Sequence, residues 1–129
     1  MALSTRNTCA SGRAAASARP GQPAPEALLR GAQGEFHLTQ FFGTDFTCLV
    51  FSDGALPHAV ADLASHGVAV LEIAPEADLN GQAGSRYGLP GAGATGLVLV
   101  RPDGYVMGRW RGLDPRPVLA CLRDKGVQP

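Results

Sequence analysis

The sequence lacks any pair of cysteines that are near each other along the chain. Its three cysteines, Cys9, Cys48 and Cys121, are widely separated, and no C-x-x-C motif is present. Such a motif supplies the attacking thiolate and its resolving partner in dithiol oxidoreductases. Dithiol chemistry of that kind is therefore excluded, whereas chemistry at the single thiol of Cys48 stays open as an alternative.

The sequence also lacks an excess of charge and a long apolar run. Eleven basic residues balance eleven acidic residues, so the chain has no surplus of positive charge to attract nucleic acids or anionic lipids. The longest apolar run, around residues 97–100, has the length of a strand and not the roughly 20 residues that cross a bilayer. We therefore expect neither a nucleic acid nor a membrane as a partner. The odd number of widely separated cysteines favours a reducing compartment, so we expect a cytoplasmic protein.

Acidic residues are absent from the first 25 positions, which are rich in alanine, serine, glycine and proline. Such a segment buries too little apolar surface to offset the entropy that it loses on ordering. We therefore predict a flexible tail over residues 1–19 and a single folded domain over residues 20–129. An acid-free start also fits an organellar transit peptide, which leaves an organelle as the alternative location.

Apolar patterning predicts alternating strands and helices. Residues 46–51 and 68–73 are nearly continuous apolar stretches, typical of strands buried on both faces. Between them apolar residues recur every three or four positions, which indicates an amphipathic helix that Gly67 ends. A strand, a helix and a strand in so short a span predict a parallel, right-handed crossover. A weaker helix is predicted over residues 78–87.

The second half of the sequence predicts a hairpin and a closing helix. Residues 97–100 and 105–110 are strands joined by the turn residues Pro-Asp-Gly. Asp114 and Pro115 are the N-cap and the first residue of the last helix. With a short lead-in strand at residues 36–38, the order matches a thioredoxin-like layout, an α/β fold whose mixed central sheet is flanked by helices. This version has no C-x-x-C motif.

The sequence predicts no catalytic, cofactor-binding or metal-binding residue. Its three histidines, His37, His58 and His66, lack the paired spacing of a metal site. Residues 91–96 match G-x-G-x-x-G but precede a strand, whereas dinucleotide-binding folds place this motif between a strand and a helix. A connector is the favoured interpretation of this segment, and a small-ligand or phosphate site is the alternative.

The predicted hairpin carries residues typical of a docking surface. Six side chains form the predicted interface: Arg101, Asp103, Tyr105, Met107, Arg109 and Trp110. Alternation along the strand predicts that Met107 and Arg109 share one face, opposite Trp110. Tryptophan beside arginine is typical of interface anchors. The alternative is structural, with Asp103 capping the turn and the arginines solvated or ion-paired.

The same hairpin resembles a known family. Residues 97–106, Leu-Val-Leu-Val-Arg-Pro-Asp-Gly-Tyr-Val, resemble the signature near the end of FAD-dependent aromatic-ring hydroxylases. These are monooxygenases of the phenol hydroxylase and 3-(3-hydroxyphenyl)propionate hydroxylase type. Residues 20–28, Pro-Gly-Gln-Pro-Ala-Pro-Glu-Ala-Leu, resemble the lead-in of that region, and residues 44–51 resemble its following strand. The resemblance spans roughly residues 20 to 125 in collinear order.

This resemblance implies a C-terminal thioredoxin-like domain, here free-standing, from a family in which a large body binds flavin and substrate. It implies FAD in the related full-length enzymes and no cofactor in this chain. It further implies a non-catalytic role in the assembly or oligomerisation of an oxygenase, with a flavoprotein body or a second copy as partner. Gly108 departs from the family, which commonly has tryptophan there. The alternative function is a thiol-dependent redox protein of peroxiredoxin or thioredoxin type.

Overall fold

A short hairpin precedes the main sheet. The structure is a computed structural model that describes residues 21–31, 34–53, 56–78, 81–88 and 95–124, so the predicted tail over residues 1–19 lies outside it. Strands β1 (Leu28–Gly31) and β2 (Gly34–His37) pair antiparallel, and a 3-10 turn follows at Leu38–Phe41. The sequence predicted a single lead-in strand here, so the pairing of two short strands was missed.

Four further strands form a mixed sheet: β3 (Thr47–Phe51), β4 (Ala69–Ile73), β5 (Gly96–Val100) and β6 (Val106–Arg111). β3 pairs with β4 in parallel and with β5 antiparallel, and β5 pairs antiparallel with β6. The strands lie in the order β4, β3, β5, β6. Every residue of the two central strands, β3 and β5, is buried, as the continuous apolar sequence of β3 predicted. The predicted burial of β4 on both faces is wrong, because β4 is an edge strand and only Ile73 in it is buried.

The crossover between β3 and β4 contains the predicted helix in a shortened form. Helix α1 (His58–Ala61) continues as a 3-10 turn over Asp62–His66. The turn ends at Gly67, whose φ of 81° is a left-handed conformation that glycine adopts without steric cost. The predicted stop and the parallel crossover are therefore confirmed.

An aspartate that precedes each of the two remaining helices caps its first turn. Helix α2 (Gln82–Arg86) is shorter than the predicted 78–87, because Asp78 lies outside it and accepts hydrogen bonds from the backbone nitrogens of Ala83 and Gly84 at 2.7 and 2.8 Å. Helix α3 (Arg116–Asp124) begins after Asp114, whose Oδ1 accepts a hydrogen bond from the Arg116 backbone nitrogen at 3.0 Å. That bond confirms the predicted N-cap.

Two apolar clusters cover the two faces of the sheet. The first combines sheet residues with β1, the 3-10 turn after β2 and α2, and includes Leu29, Leu38, Leu49, Phe51, Tyr87, Val98 and Val100. The second combines the opposite face with α1 and α3, and includes Cys48, Val50, Val60, Leu63, Leu97, Leu99, Val118 and Leu122. The predicted α/β arrangement, a mixed sheet with helices on both faces, is confirmed. Within the described ranges no helix has the length and apolarity needed to cross a membrane.

Candidate functional site

An arginine and an aspartate close the turn between β5 and β6. Arg101 donates from Nε to Asp103 Oδ1 at 3.0 Å and from Nη2 to Asp103 Oδ2 at 2.6 Å. Asp103 Oδ1 also accepts a hydrogen bond from the Tyr105 backbone nitrogen at 3.2 Å. The hydrogen bonds from Arg101 hold the pKa of Asp103 below its usual value. Two of the predicted interface residues therefore bind each other and shape the turn.

Tyr105 lies at the exposed end of this turn. Its ring is 37% exposed, and the Arg101 guanidinium carbon lies 5.5 Å from the ring centroid, within reach of a cation–π contact. The outer edge of β6 is covered nearby, because Val106 exchanges backbone hydrogen bonds of 2.8 Å with Gly21 and Gln22. The exposed surface of the turn is therefore centred on Tyr105, whereas the backbone edge of β6 at Val106 is covered.

A β-bulge in β6 overturns the predicted alternation of its side chains. The register shifts between Leu99 and Val100, and Met107 is left without a partner residue on β5. As a result Met107 and Trp110 pack against the same apolar cluster, although strict alternation placed them on opposite faces. Met107 is 2% exposed, so it is a core residue and contributes little to an outer surface.

The burial of Arg109 was not expected from the sequence of the hairpin. It lies opposite Val98 of β5, on the face of the sheet that carries the first apolar cluster, and it is 5% exposed. Its Nη1 atom is buried and has no hydrogen-bond partner. Burial and the nearby charge of Arg111 lower the pKa of Arg109. The sequence predicted a surface arginine here, and the structure places a charged group inside the protein.

The six predicted interface residues thus differ in exposure. Asp103 and Tyr105 are exposed, Arg101 and Trp110 are half-buried, and Met107 and Arg109 are buried. A docking surface built on this hairpin therefore consists of the turn and the half-buried Trp110. Arg109 is not part of that surface, because it is buried on the opposite face of β6 from Trp110.

The loop after β3 is where thioredoxin-type catalysis would place its cysteine pair, next to a helix start. Here Ser52 follows β3, and its Oγ donates a hydrogen bond of 2.8 Å to Glu72 Oε2 on β4. The Ser52 backbone nitrogen also bonds the Ile73 carbonyl oxygen at 3.3 Å. Sequence reasoning missed this polar link between the ends of two parallel strands. Its only signal was a serine and a glutamate near the ends of two predicted strands.

Cys48 is the thiol on which the alternative redox function depends. It lies inside β3 with 0% of its surface exposed. Desolvation raises the pKa of its thiol to about 12. Because the thiolate is the nucleophile in thiol chemistry, this position does not favour attack on a peroxide or a disulfide at neutral pH.

The alternative ligand site at residues 91–96 falls mostly on residues 91–94, which lie outside the described ranges. Thr95 is described, and its carbonyl oxygen accepts a hydrogen bond from the Gly112 nitrogen at 3.1 Å. In the part of the chain that the structure describes, no group of three or more histidine, cysteine, aspartate or glutamate residues is placed to hold a metal ion.

Comparison with solved structures identifies the class of fold. The reduced 2-Cys peroxiredoxin of Plasmodium vivax superposes on 80% of this chain and 93% of its own, with a TM-score of 0.60 and 16% sequence identity. Similarity at this identity concerns the fold alone. The predicted thioredoxin-like fold is thereby confirmed.

The sequence comparison identifies the family. The profile of the aromatic-ring hydroxylase C-terminal family matches residues 17–124, so the chain belongs to this family. It is 34% identical to 4-methyl-5-nitrocatechol 5-monooxygenase from Burkholderia sp over 113 residues, which are 82% of this chain and 20% of that protein.

A solved flavoenzyme agrees with this assignment. Aklavinone-11 hydroxylase, determined as a ternary complex with FAD and aklavinone, has a TM-score of 0.66 and 28% identity over 83% of this chain and 21% of its own. The chain therefore spans about one fifth of the length of these two relatives.

Proposed function

We propose that this chain is a non-catalytic docking module that packs through its β5–β6 hairpin on the flavin-binding body of an aromatic hydroxylase and helps to assemble that oxygenase. One observation carries the proposal: this chain matches only about one fifth of the length of its flavoprotein relatives. The remaining four fifths of such a relative provide the surface on which a module of this kind would pack.

The chemistry of the described residues supports a non-catalytic role. The thiol of Cys48 is buried and its pKa is raised, and Ser52 stands at the end of β3 in place of a cysteine. A thiol-dependent redox function therefore has little support. We assign the flavin and the hydroxylation reaction to the body and not to this chain.

The hairpin is the favoured contact surface because it combines an exposed aromatic ring with a rigid turn. Tyr105 and Phe41 are the exposed large apolar side chains among the described residues, at 37% and 46%. Tyr105 lies on a turn held by the paired Arg101 and Asp103. A rigid aromatic anchor loses little conformational entropy on binding, which is typical of residues that dominate an interface.

A hybrid enzyme tests this proposal. In the hybrid, this chain replaces the matching region of 4-methyl-5-nitrocatechol 5-monooxygenase, and retention of FAD shows that the body is folded. If the module docks, it stabilises the body by linkage, so Tyr105→Asp should lower the temperature at which the hybrid releases FAD. Phe41→Asp is the matched control, because it places the same charge on another exposed aromatic residue.

The outcomes separate the alternatives. A hybrid that loses FAD where the parent enzyme keeps it, or equal effects of the two substitutions, would contradict docking through the hairpin. Light scattering on the isolated chain checks the other partner. A mass of twice 13.3 kDa would point to a second copy of the chain and not to a flavoprotein body.

A further inference from the structure

Residues 21–24, which we call the edge segment, lie along the start of β6 beside the turn. The Gly21 backbone nitrogen donates a hydrogen bond of 2.8 Å to the Val106 carbonyl oxygen. The Val106 nitrogen in turn donates one of 2.8 Å to the Gln22 carbonyl oxygen. The edge segment is therefore fixed to the hairpin by its backbone, which leaves its side chains to be accounted for.

Pro23 and Tyr105 form an exposed pair across this contact. The two residues make an antiparallel bridge, so their side chains are neighbours on the same face. Ala24 and Val106, which follow them in sequence, are buried in the first apolar cluster. Because side chains alternate along extended chains, Pro23 and Tyr105 are directed away from that cluster, and both are exposed.

The surface around this pair is uncharged. Gln22, the exposed neighbour of Pro23, is neutral, and the charges of Arg101 and Asp103 in the turn compensate each other through their hydrogen bonds. Pro23 has no N–H group to offer to a further strand. A partner would therefore contact this surface through side chains, and an apolar, uncharged surface fits it.

The family match shows where the rest of a full-length relative joins this region. The family is the C-terminal part of aromatic-ring hydroxylases, and its match begins at residue 17. In a relative, the body therefore joins at the N-terminal end of the region. Residue 17 precedes Gly21 by four positions, which span at most about 14 Å when fully extended. The junction with the body is thus close to the edge segment.

We propose that the edge segment is the second half of the docking surface, and that an apolar, uncharged face of the flavin-binding body packs on Pro23 and Tyr105 together. This inference rests on the proposed function and makes it more specific. It states on which side of the hairpin the body lies and which chemistry the body presents there.

The first test uses the hybrid enzyme and the temperature at which it releases FAD. Pro23→Asp and Pro23→Lys should each lower this temperature, because an apolar contact disfavours a charge of either sign. The same two substitutions at Pro75 are the matched controls and should leave it close to that of the wild-type hybrid. Pro75 is an exposed proline that begins the 3-10 turn after β4, at the opposite edge of the sheet.

The outcomes of this test separate the two proposals. Equal shifts at Pro23 and Pro75, or a rise with either charge at Pro23, would overturn this inference. If Tyr105→Asp still lowers the temperature more than Phe41→Asp does, the proposed function then stands without it. If Tyr105→Asp and Phe41→Asp have equal effects, the proposed function fails and this inference fails with it.

A cross-linking experiment tests the same contact without removing the proline. Gln22 pairs with Val106 through its backbone carbonyl oxygen, and its side chain is exposed. In the hybrid, Gln22→p-benzoylphenylalanine should give photo-cross-links to peptides of the body. The same substitution at Glu76, which is exposed in the turn Pro75–Ala77, should give none. No cross-link to the body from position 22, or as many from position 76, would overturn the inference even if the Pro23 variants failed to fold.

Discussion

Tyr87 donates a hydrogen bond from its hydroxyl group to the carbonyl oxygen of Pro25 at 2.6 Å. This bond joins the turn after α2 to the segment that leads into β1. The Tyr87 ring is fully buried and lies 5.5 Å from the Phe51 ring, between centroids. A single side chain therefore links the start of the described chain to the central sheet.

Removing that hydroxyl should destabilise the protein without creating a large cavity. We expect Tyr87→Phe to lower the free energy of unfolding by about 1 to 3 kcal/mol, because the Pro25 carbonyl loses its donor in a partly buried place. Urea unfolding measures the change. Tyr105→Phe removes the same atom from an exposed ring and should change the stability by less than about 0.5 kcal/mol. Equal losses in the two variants would contradict the role given to this bond.

The bulge in β6 makes Met107 a core residue. We expect Met107→Ala to cost about 2 to 5 kcal/mol of unfolding free energy, as for other buried large side chains. Met107→Leu conserves the volume and should cost less than about 1.5 kcal/mol. Chemical denaturation of the two variants tests this. If Met107 lay on an outer docking face, as the sequence predicted, neither substitution would matter in the isolated chain.

The pairing of Arg101 with Asp103 gives a small, pH-dependent contribution to stability. The pKa of Asp103 is lower in the folded chain than its usual 3.8, so the stabilisation is present above that usual value. It is lost as the pH falls through the lower, folded pKa. Because the Asp103 side chain is 54% exposed, Asp103→Asn should cost less than about 1 kcal/mol at neutral pH. A stability difference from the wild type that persists unchanged into strong acid would contradict this assignment.

Cys48 should be chemically silent while the chain is folded. Its thiol is buried and its pKa is raised to about 12, so little thiolate exists at neutral pH and reagents cannot reach it. Peptide mapping by mass spectrometry, after treatment with hydrogen peroxide or iodoacetamide, should find Cys48 unmodified in the native protein and modified in guanidinium. Oxidation of Cys48 in the native protein would revive the thiol-dependent alternative.

Much of the sheet could be predicted from the sequence because β3, β4 and β5 have continuous apolar stretches that few other structures accommodate. The turn residues Pro-Asp-Gly marked the hairpin, and Asp114 marked the start of α3. The pairing of β1 with β2 was missed because each strand has only four residues and most residues of β2 are exposed. Short strands of that kind carry no clear periodicity.

The candidate site was predictable only in part. The sequence predicted the hairpin and the capping of its turn by Asp103, and it left ion-paired arginines as an alternative without naming Asp103 as the partner of Arg101. The burial of Met107 and Arg109 depends on a register shift against β5, which is a property of the pairing and not of either strand alone. Alternation within β6 therefore led to the wrong faces.

The most direct test of docking is amide hydrogen exchange of the wild-type hybrid enzyme compared with that of the isolated chain. The account predicts slower exchange in the hybrid for residues 101–111, at the hairpin, and unchanged exchange for β4 (Ala69–Ile73), the strand at the opposite edge of the sheet. Both segments lie on one sheet, so β4 is an internal control. Unchanged exchange at the hairpin, or protection of β4 in its place, would contradict the claim that this chain docks through its β5–β6 hairpin.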